Sequence, residues 1–147
     1  MSILRRPRVP ADLVGGFLAG EARALQTSVR EVLTGLERAA GQPVPVELVV
    51  EHGKGERLVL LCRNLVVGFV VDGHAPALSD QLEHAGRARL VVPGVLYPDG
   101  DLWRVWVGAV PAAGLPVGAE TEEADRLPAP EAAVLGIPLR RVAPAED

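Results

Sequence analysis

The stretch Val46–Gly108, VELVVEHGKGERLVLLCRNLVVGFVVDGHAPALSDQLEHAGRARLVVPGVLYPDGDLWRVWVG, decides the fold of this chain. It contains short, valine-rich apolar blocks bounded by glycine, proline, asparagine and aspartate, a pattern typical of β-strands. The blocks are Val46–Val50, Leu58–Cys62, Leu65–Val71, Leu90–Val92 and Leu102–Val107. A helical segment interrupts them after the third block. The pattern predicts an α+β fold, with a small, mainly antiparallel β-sheet or partly open barrel, an N-terminal helix and one inserted helix.

Turn residues connect several of these blocks. Arg63-Asn64 has the length of a two-residue hairpin turn, and asparagine tolerates positive φ. Pro98-Asp99-Gly100 predicts a second hairpin between the last two strands. The inserted helix is expected from about Pro76 to Ala85, because a proline is harmless in the first turn of a helix. Its Leu78 and Leu82 are spaced to pack on the sheet.

The chain before the first block has helical spacing of its apolar residues. These residues predict one N-terminal helix that ends at Gly41 and Pro43. They are Leu18, Leu25, Val29, Val32, Leu33 and Leu36. The first eleven residues are rich in arginine and proline and are interpreted as a short basic arm.

Length and charge predict one domain with an appendage. Residues 1–117 are expected to form a single α+β domain that includes the basic arm, and they carry 12 basic and 12 acidic side chains. Residues 118–147 are expected to form an acidic, proline-rich C-terminal tail, with 3 basic and 7 acidic side chains. The tail contains an apolar island, Val134–Leu139, which suits docking on the domain or on a protein partner.

This sequence contains no residue pattern typical of a catalytic site or a metal site. The histidines His52, His74 and His84 lack metal-ligand spacing, and Cys62 is interpreted as a buried thiol. We therefore expect no enzymatic activity, no metal and no cofactor. A single cysteine fits the reducing cytoplasm. Because no signal peptide and no apolar run of ~20 residues is present, we expect a cytoplasmic protein with no membrane span.

Six side chains are candidates for contacting nucleic acid. Phosphates need several neighbouring cations, and unpaired bases stack on aromatic or guanidinium planes. Strand alternation places Arg104 and Trp106 on one face, and Arg87 and Arg89 on one face of another strand. Two interpretations stay open, a continuous basic stripe or separate surface arginines, with Trp106 either a stacking platform or packed under the tail. The candidates are Lys54, Arg57, Arg87, Arg89, Arg104 and Trp106.

The order of elements over about Val46–Val92 resembles that of the HIRAN domain, a small β-rich module. The first strand is similar to the family's strand ending in Glu-Pro, and the next two are similar to its apolar strand followed by Val-Gly-Tyr. The following helix, its terminal glycine and the next strand also have counterparts. The matching segments are Glu47–Glu51, Leu58–Leu60, Val67–Val70, Ala75–Leu82, Gly86 and Arg89–Val92.

The resemblance implies a function in DNA maintenance. HIRAN domains accompany DNA-remodelling and repair enzymes and hold ends of single-stranded DNA, so the resemblance implies a non-catalytic, single-stranded nucleic-acid-binding module. This chain departs from the family at His52–Arg57, which replaces an Asn-x-x-Asp-x-Asn-Ala loop, and at Phe69, which replaces tyrosine. The alternative is a protein-interaction or adaptor domain without nucleic-acid binding. A continuous positive patch favours the first function, and arginines paired with carboxylates favour the second.

Overall fold

The structure is a computed structural model that describes residues 7–20 and 23–118. The apolar island Val134–Leu139 and all of the expected tail except Gly118 lie outside the described residues. The same holds for the first six residues of the expected basic arm.

The described chain is a mixture of helices and strands in which a curled, mainly antiparallel sheet forms a half-barrel. This confirms the α+β class. The bounds of the elements are β1 Arg8–Pro10, β2 Phe17–Leu18, α1 Gln26–Val32, α2 Gly35–Ala40, β3 Val44–His52, β4 Leu58–Cys62, β5 Leu65–Phe69, α3 Ala75–Ala85, β6 Arg89–Asp99 and β7 Leu102–Val107.

The sheet has seven strands, six of them in the order β2-β7-β6-β3-β4-β5. Neighbours along this path are antiparallel, whereas β1 pairs in parallel with the beginning of β6. Curling brings the two ends of the path together after β2, where Gly20 and Phe69 of β5 exchange two backbone hydrogen bonds of 2.8 and 3.2 Å. This bridge fixes the backbone of Phe69 at the sheet edge.

Two predicted hairpins are present. Arg63 and Asn64 join β4 to β5 with φ values of 50° and 74°, the left-handed region that a two-residue hairpin turn requires. Asp99 pairs with Leu102 at the tip of the β6–β7 hairpin, and Gly100 there has a φ of 63°. The β6 strand continues through an exposed Pro93 and is therefore much longer than the predicted block Leu90–Val92.

The core lies between the inner face of the sheet and the helices. Alternate residues of the central strands point inward, as the strand period requires. On β3, for example, Leu48 and Val50 are buried. Helix α3 adds the fully buried Leu78, and Leu82 packs partly buried against the same core. Helix α1 adds Val29 and Val32.

The prediction of one N-terminal helix is wrong. Leu18 lies in β2, and the helical segment divides into α1 and α2 because Leu33 adopts an extended conformation. Thr34 then begins α2 with a capping box, in which its hydroxyl accepts from the Glu37 N–H and the Glu37 carboxylate accepts from the Thr34 N–H. As a consequence Leu36 does not face the core and is 85% exposed.

The turn residue Arg63 ties both of these helices to the sheet. Its guanidinium donates to the Val32 carbonyl at 2.7 Å and to both Glu37 carboxylate oxygens at 2.9 and 3.2 Å. The hydrogen bond from Arg63, together with that from the Thr34 backbone, lowers the pKa of Glu37 to about 2. The carboxylate therefore stays ionised and keeps these bonds through the mildly acidic range.

The expected basic arm is in part a strand. Arg8–Pro10 forms β1, and backbone bonds flank it, from Arg89 N–H to Pro7 O at 2.8 Å and from Ala11 N–H to Val91 O at 2.7 Å. Arg8 also pairs with Glu47 across the sheet at 3.3 Å.

Within the described part of the chain, no helix is both long enough and apolar enough to cross a membrane.

Candidate nucleic-acid interface

Four of the six candidate side chains emerge at one end of the sheet. Lys54 and Arg57 lie in the loop between β3 and β4, and Arg87 and Arg89 lie where α3 ends and β6 begins. The pairing of Val50 with Leu90 places the end of β3 beside the start of β6, so the two loops are neighbours. Arg57 is half-buried and the other three are exposed. We call these four residues the basic end.

The β3–β4 loop has a compact geometry. The Gly53 N–H donates to the Arg57 carbonyl at 2.8 Å, and the Arg57 N–H donates to the Lys54 carbonyl at 3.2 Å. Gly55 has a φ of 63°, a conformation that glycine adopts without strain. This internal bonding holds the backbone of the loop in place while the Lys54 side chain extends into solvent.

The Arg57 guanidinium lies over an aromatic ring. Its guanidinium carbon lies 4.0 Å from the centroid of the Phe69 ring, a cation–π contact. The ring belongs to the strand end that the Gly20 bridge fixes, and Phe69 pairs across the sheet with Val59. A planar guanidinium that lies over a ring has a second face, onto which an unpaired base can stack.

Carboxylates also lie near the basic end. Arg89 and Glu51 line two shallow surface grooves of about 470 and 440 Å³. The first groove also contains Glu47, and the second contains Glu83. The local charge is therefore mixed. An anionic ligand would gain attraction from the cations and lose part of it to these carboxylates, so its binding should be weak and sensitive to salt.

The remaining two candidates, Arg104 and Trp106, are buried, so of the two interpretations left open for them the packed one holds and the surface stripe through Arg104 does not. Arg104 is only 2% exposed, and its Nε donates to Asp99 Oδ2 at 2.8 Å. Trp106 is buried, and its indole N–H donates to the Ala109 carbonyl at 2.9 Å. Alternation assigned both residues to the correct face of β7. Residues 109–118 cover that face. The alternation of residues within a strand does not show which other segment packs on it.

Cys62 is a buried thiol, as the sequence analysis expected. Burial raises its pKa, which keeps the sulfur protonated and unreactive. Among the residues described by the structure, no three or more His, Cys, Asp or Glu side chains are grouped so that they could hold a metal ion.

Comparisons with models of protein families, with curated proteins and with solved structures found no match to this chain.

Proposed function

We propose that this protein is a small non-catalytic module that binds single-stranded nucleic acid at the basic end. The observation that carries the proposal is the position of Lys54, Arg57, Arg87 and Arg89 at one end of the sheet, with the Arg57 guanidinium over the Phe69 ring. The resemblance to the HIRAN domain supports the same ligand class. A function in DNA maintenance and a cytoplasmic location are part of the proposal.

Binding would combine charge and stacking. The exposed Lys54, Arg87 and Arg89 supply cations for phosphates, while the outer face of the Arg57 guanidinium supplies a plane for a base. Double-stranded ligands present their bases stacked inside the duplex, so a single strand gains the stacking contact that a duplex does not. The ligand class is therefore an unpaired strand of DNA or RNA.

Reversing charge at the basic end should weaken binding. We expect the double variant Arg87→Glu/Arg89→Glu to bind a labelled ten-nucleotide single strand at least about tenfold more weakly than the unaltered protein at low ionic strength, because two phosphate contacts become repulsive. Fluorescence anisotropy measures this. A matched control is Arg30→Glu/Arg38→Glu, which makes the same charge change on α1 and α2, where Arg30 donates to the Asp101 carbonyl at the far tip of β6.

The control pair should change affinity by less than about threefold, since long-range charge is screened. Binding by the unaltered protein should fall with salt, with a logarithmic slope near −3 if four cations release counterions at ~0.7 each. Equal weakening by both double variants would place the site elsewhere. At about 20 mM salt the Debye length is about 20 Å, so screening is weak. Absence of binding by the unaltered protein under this condition would overturn the proposal.

A protein-interaction function is the second candidate. Ion pairs join Arg8 to Glu47 at 3.3 Å, Arg63 to Glu37 at 2.9 Å and Arg104 to Asp99 at 2.8 Å. Arginines that are paired in this way add little to a continuous positive patch. A failure of the intact protein to bind any oligonucleotide would favour this candidate.

A further inference from the structure

Residues 109–118, which we call the strap, cross the outer face of the β6–β7 hairpin. Beneath them lies a small apolar cluster that is separate from the main core. It consists of Val95, Tyr97 and Trp106, and we call it the aromatic groove. Leu115 of the strap packs against this cluster, as does Leu18 from the neighbouring β2.

Three side chains of the β6–β7 hairpin, two of them in the groove, hold the strap by hydrogen bonds. The Trp106 indole donates to the Ala109 carbonyl at 2.9 Å, and the Tyr97 hydroxyl donates to the Pro116 carbonyl at 2.6 Å. The Gly118 N–H donates to the Asp99 carboxylate at 2.9 Å. Burial raises the pKa of Tyr97 to about 12, which keeps its hydroxyl protonated as a donor.

Each of these three bonds joins a side chain of the β6–β7 hairpin to the main chain of the strap. The contact with the apolar cluster comes from one strap side chain, Leu115. The hairpin therefore recognises two backbone carbonyls, one backbone N–H and one apolar side chain. The strap presents them across a turn, in which the Gly114 N–H donates to the Pro111 carbonyl at 2.9 Å. Such recognition depends little on the other side chains, so a different segment with the same features can make the same bonds.

Proline suits this mode of binding. Pro116 has no N–H that would lose its hydrogen bond to water, and its ring restricts the backbone before binding. Grooves lined by aromatic side chains bind proline-containing segments in this way, with tryptophan and tyrosine donating to backbone carbonyls. Leu115-Pro116 thus supplies the apolar contact and the carbonyl acceptor in consecutive residues.

We propose that the aromatic groove is a docking site for a Leu-Pro-containing segment of a partner protein, and that the strap occupies this site within the same chain. The strap shows the chemistry that the groove accepts. A tethered segment competes at an effective concentration in the millimolar range. A partner therefore binds when its affinity for the groove is high enough to displace the tethered strap, or when a substitution weakens the binding of the strap.

The test uses the full chain with a weakened strap. Leu115→Asp places a charge against the apolar cluster and leaves every groove residue unchanged. A labelled peptide AVPAAGLPVG, the sequence of residues 109–118, is titrated and followed by fluorescence anisotropy. We expect saturable binding to the Leu115→Asp protein at least about tenfold tighter than to the unaltered protein, because the tethered competitor is removed.

Two controls establish the site. The same peptide with aspartate in place of its leucine should not bind. Adding Tyr97→Phe to the Leu115→Asp protein should weaken peptide binding about fivefold, the loss of one hydrogen bond. Thermal unfolding verifies that each variant is folded, and Leu115→Ala replaces Leu115→Asp if the charge unfolds the domain.

Absence of binding to a folded Leu115 variant would overturn the proposal, as would equal binding of the aspartate peptide. Exchange of straps between two copies, seen as a dimer that excludes the peptide, would also overturn it. No nucleic acid is used, so the result is independent of the function proposed for the basic end.

Discussion

Asp99→Ala should lower the free energy of unfolding by about 3–5 kcal/mol, because it removes the carboxylate paired with a buried guanidinium. Arg104 is 2% exposed, and its Nε–H donates to Asp99 at 2.8 Å. Without this carboxylate the buried cation keeps the cost of its desolvation and loses its ion pair. The change also removes the acceptor of the Gly118 N–H, so the end of the strap is released.

Urea unfolding at pH 7 measures this loss. The matched control is Asp101→Ala, an exposed aspartate two residues away at the hairpin tip, for which we expect a change within about 0.5 kcal/mol. The double variant Asp99→Ala/Arg104→Met should recover most of the stability, since an apolar side chain of similar length replaces the buried charge. An Asp99→Ala protein as stable as the Asp101→Ala control would contradict the burial of this pair.

The second large effect is expected at Leu78 on α3. Leu78→Asp should lower the free energy of unfolding by about 4 kcal/mol or more, because an ionised carboxylate would enter the main core without a partner. Leu78 is 0% exposed and packs with the main core cluster. The melting temperature should fall by about 15 °C or more for a domain of this size. Leu78→Ala, at about 2–5 kcal/mol, is the milder variant if the charged one fails to fold.

Leu36→Asp is the matched control for Leu78→Asp. It makes the same substitution in another helix, at a leucine that is 85% exposed. We expect a change within about 0.5 kcal/mol. Equal losses at the two positions would mean that Leu36 faces the core, as the apolar spacing of the sequence predicted, and that α1 and α2 form one continuous helix.

The strands were predictable because their signal is local. Short apolar blocks bounded by turn residues are sufficient to predict β4 and β7 at their observed bounds. The Arg63-Asn64 turn was likewise predictable from its own two residues, because asparagine tolerates the positive φ that such a turn requires. The break between α1 and α2 was missed because apolar residues continue at helical spacing across it. The signal that could have revealed it is the capping box of Thr34 and Glu37.

The candidate site was only partly predictable because it depends on contacts between distant segments. Strand alternation places Trp106 on the outer face of β7, and it contains no information about the strap that covers that face. The placement of the β3–β4 loop at the same end of the sheet as Arg89 depends on the register between β3 and β6. These two strands are separated along the chain by two strands and a helix. Arg8–Pro10 was too short to give a strand pattern.

The most direct test of binding at the basic end is an NMR titration of the ¹⁵N-labelled full chain with a short single-stranded oligonucleotide at low salt. The account predicts shifts of the backbone amides at residues 53–57, at Phe69 and at residues 87–89. Amides of the strap at residues 109–118 should remain unchanged, because Arg104 and Trp106 beneath it are buried. Shifts confined to the strap, or no shifts at any concentration of the oligonucleotide, would contradict the account.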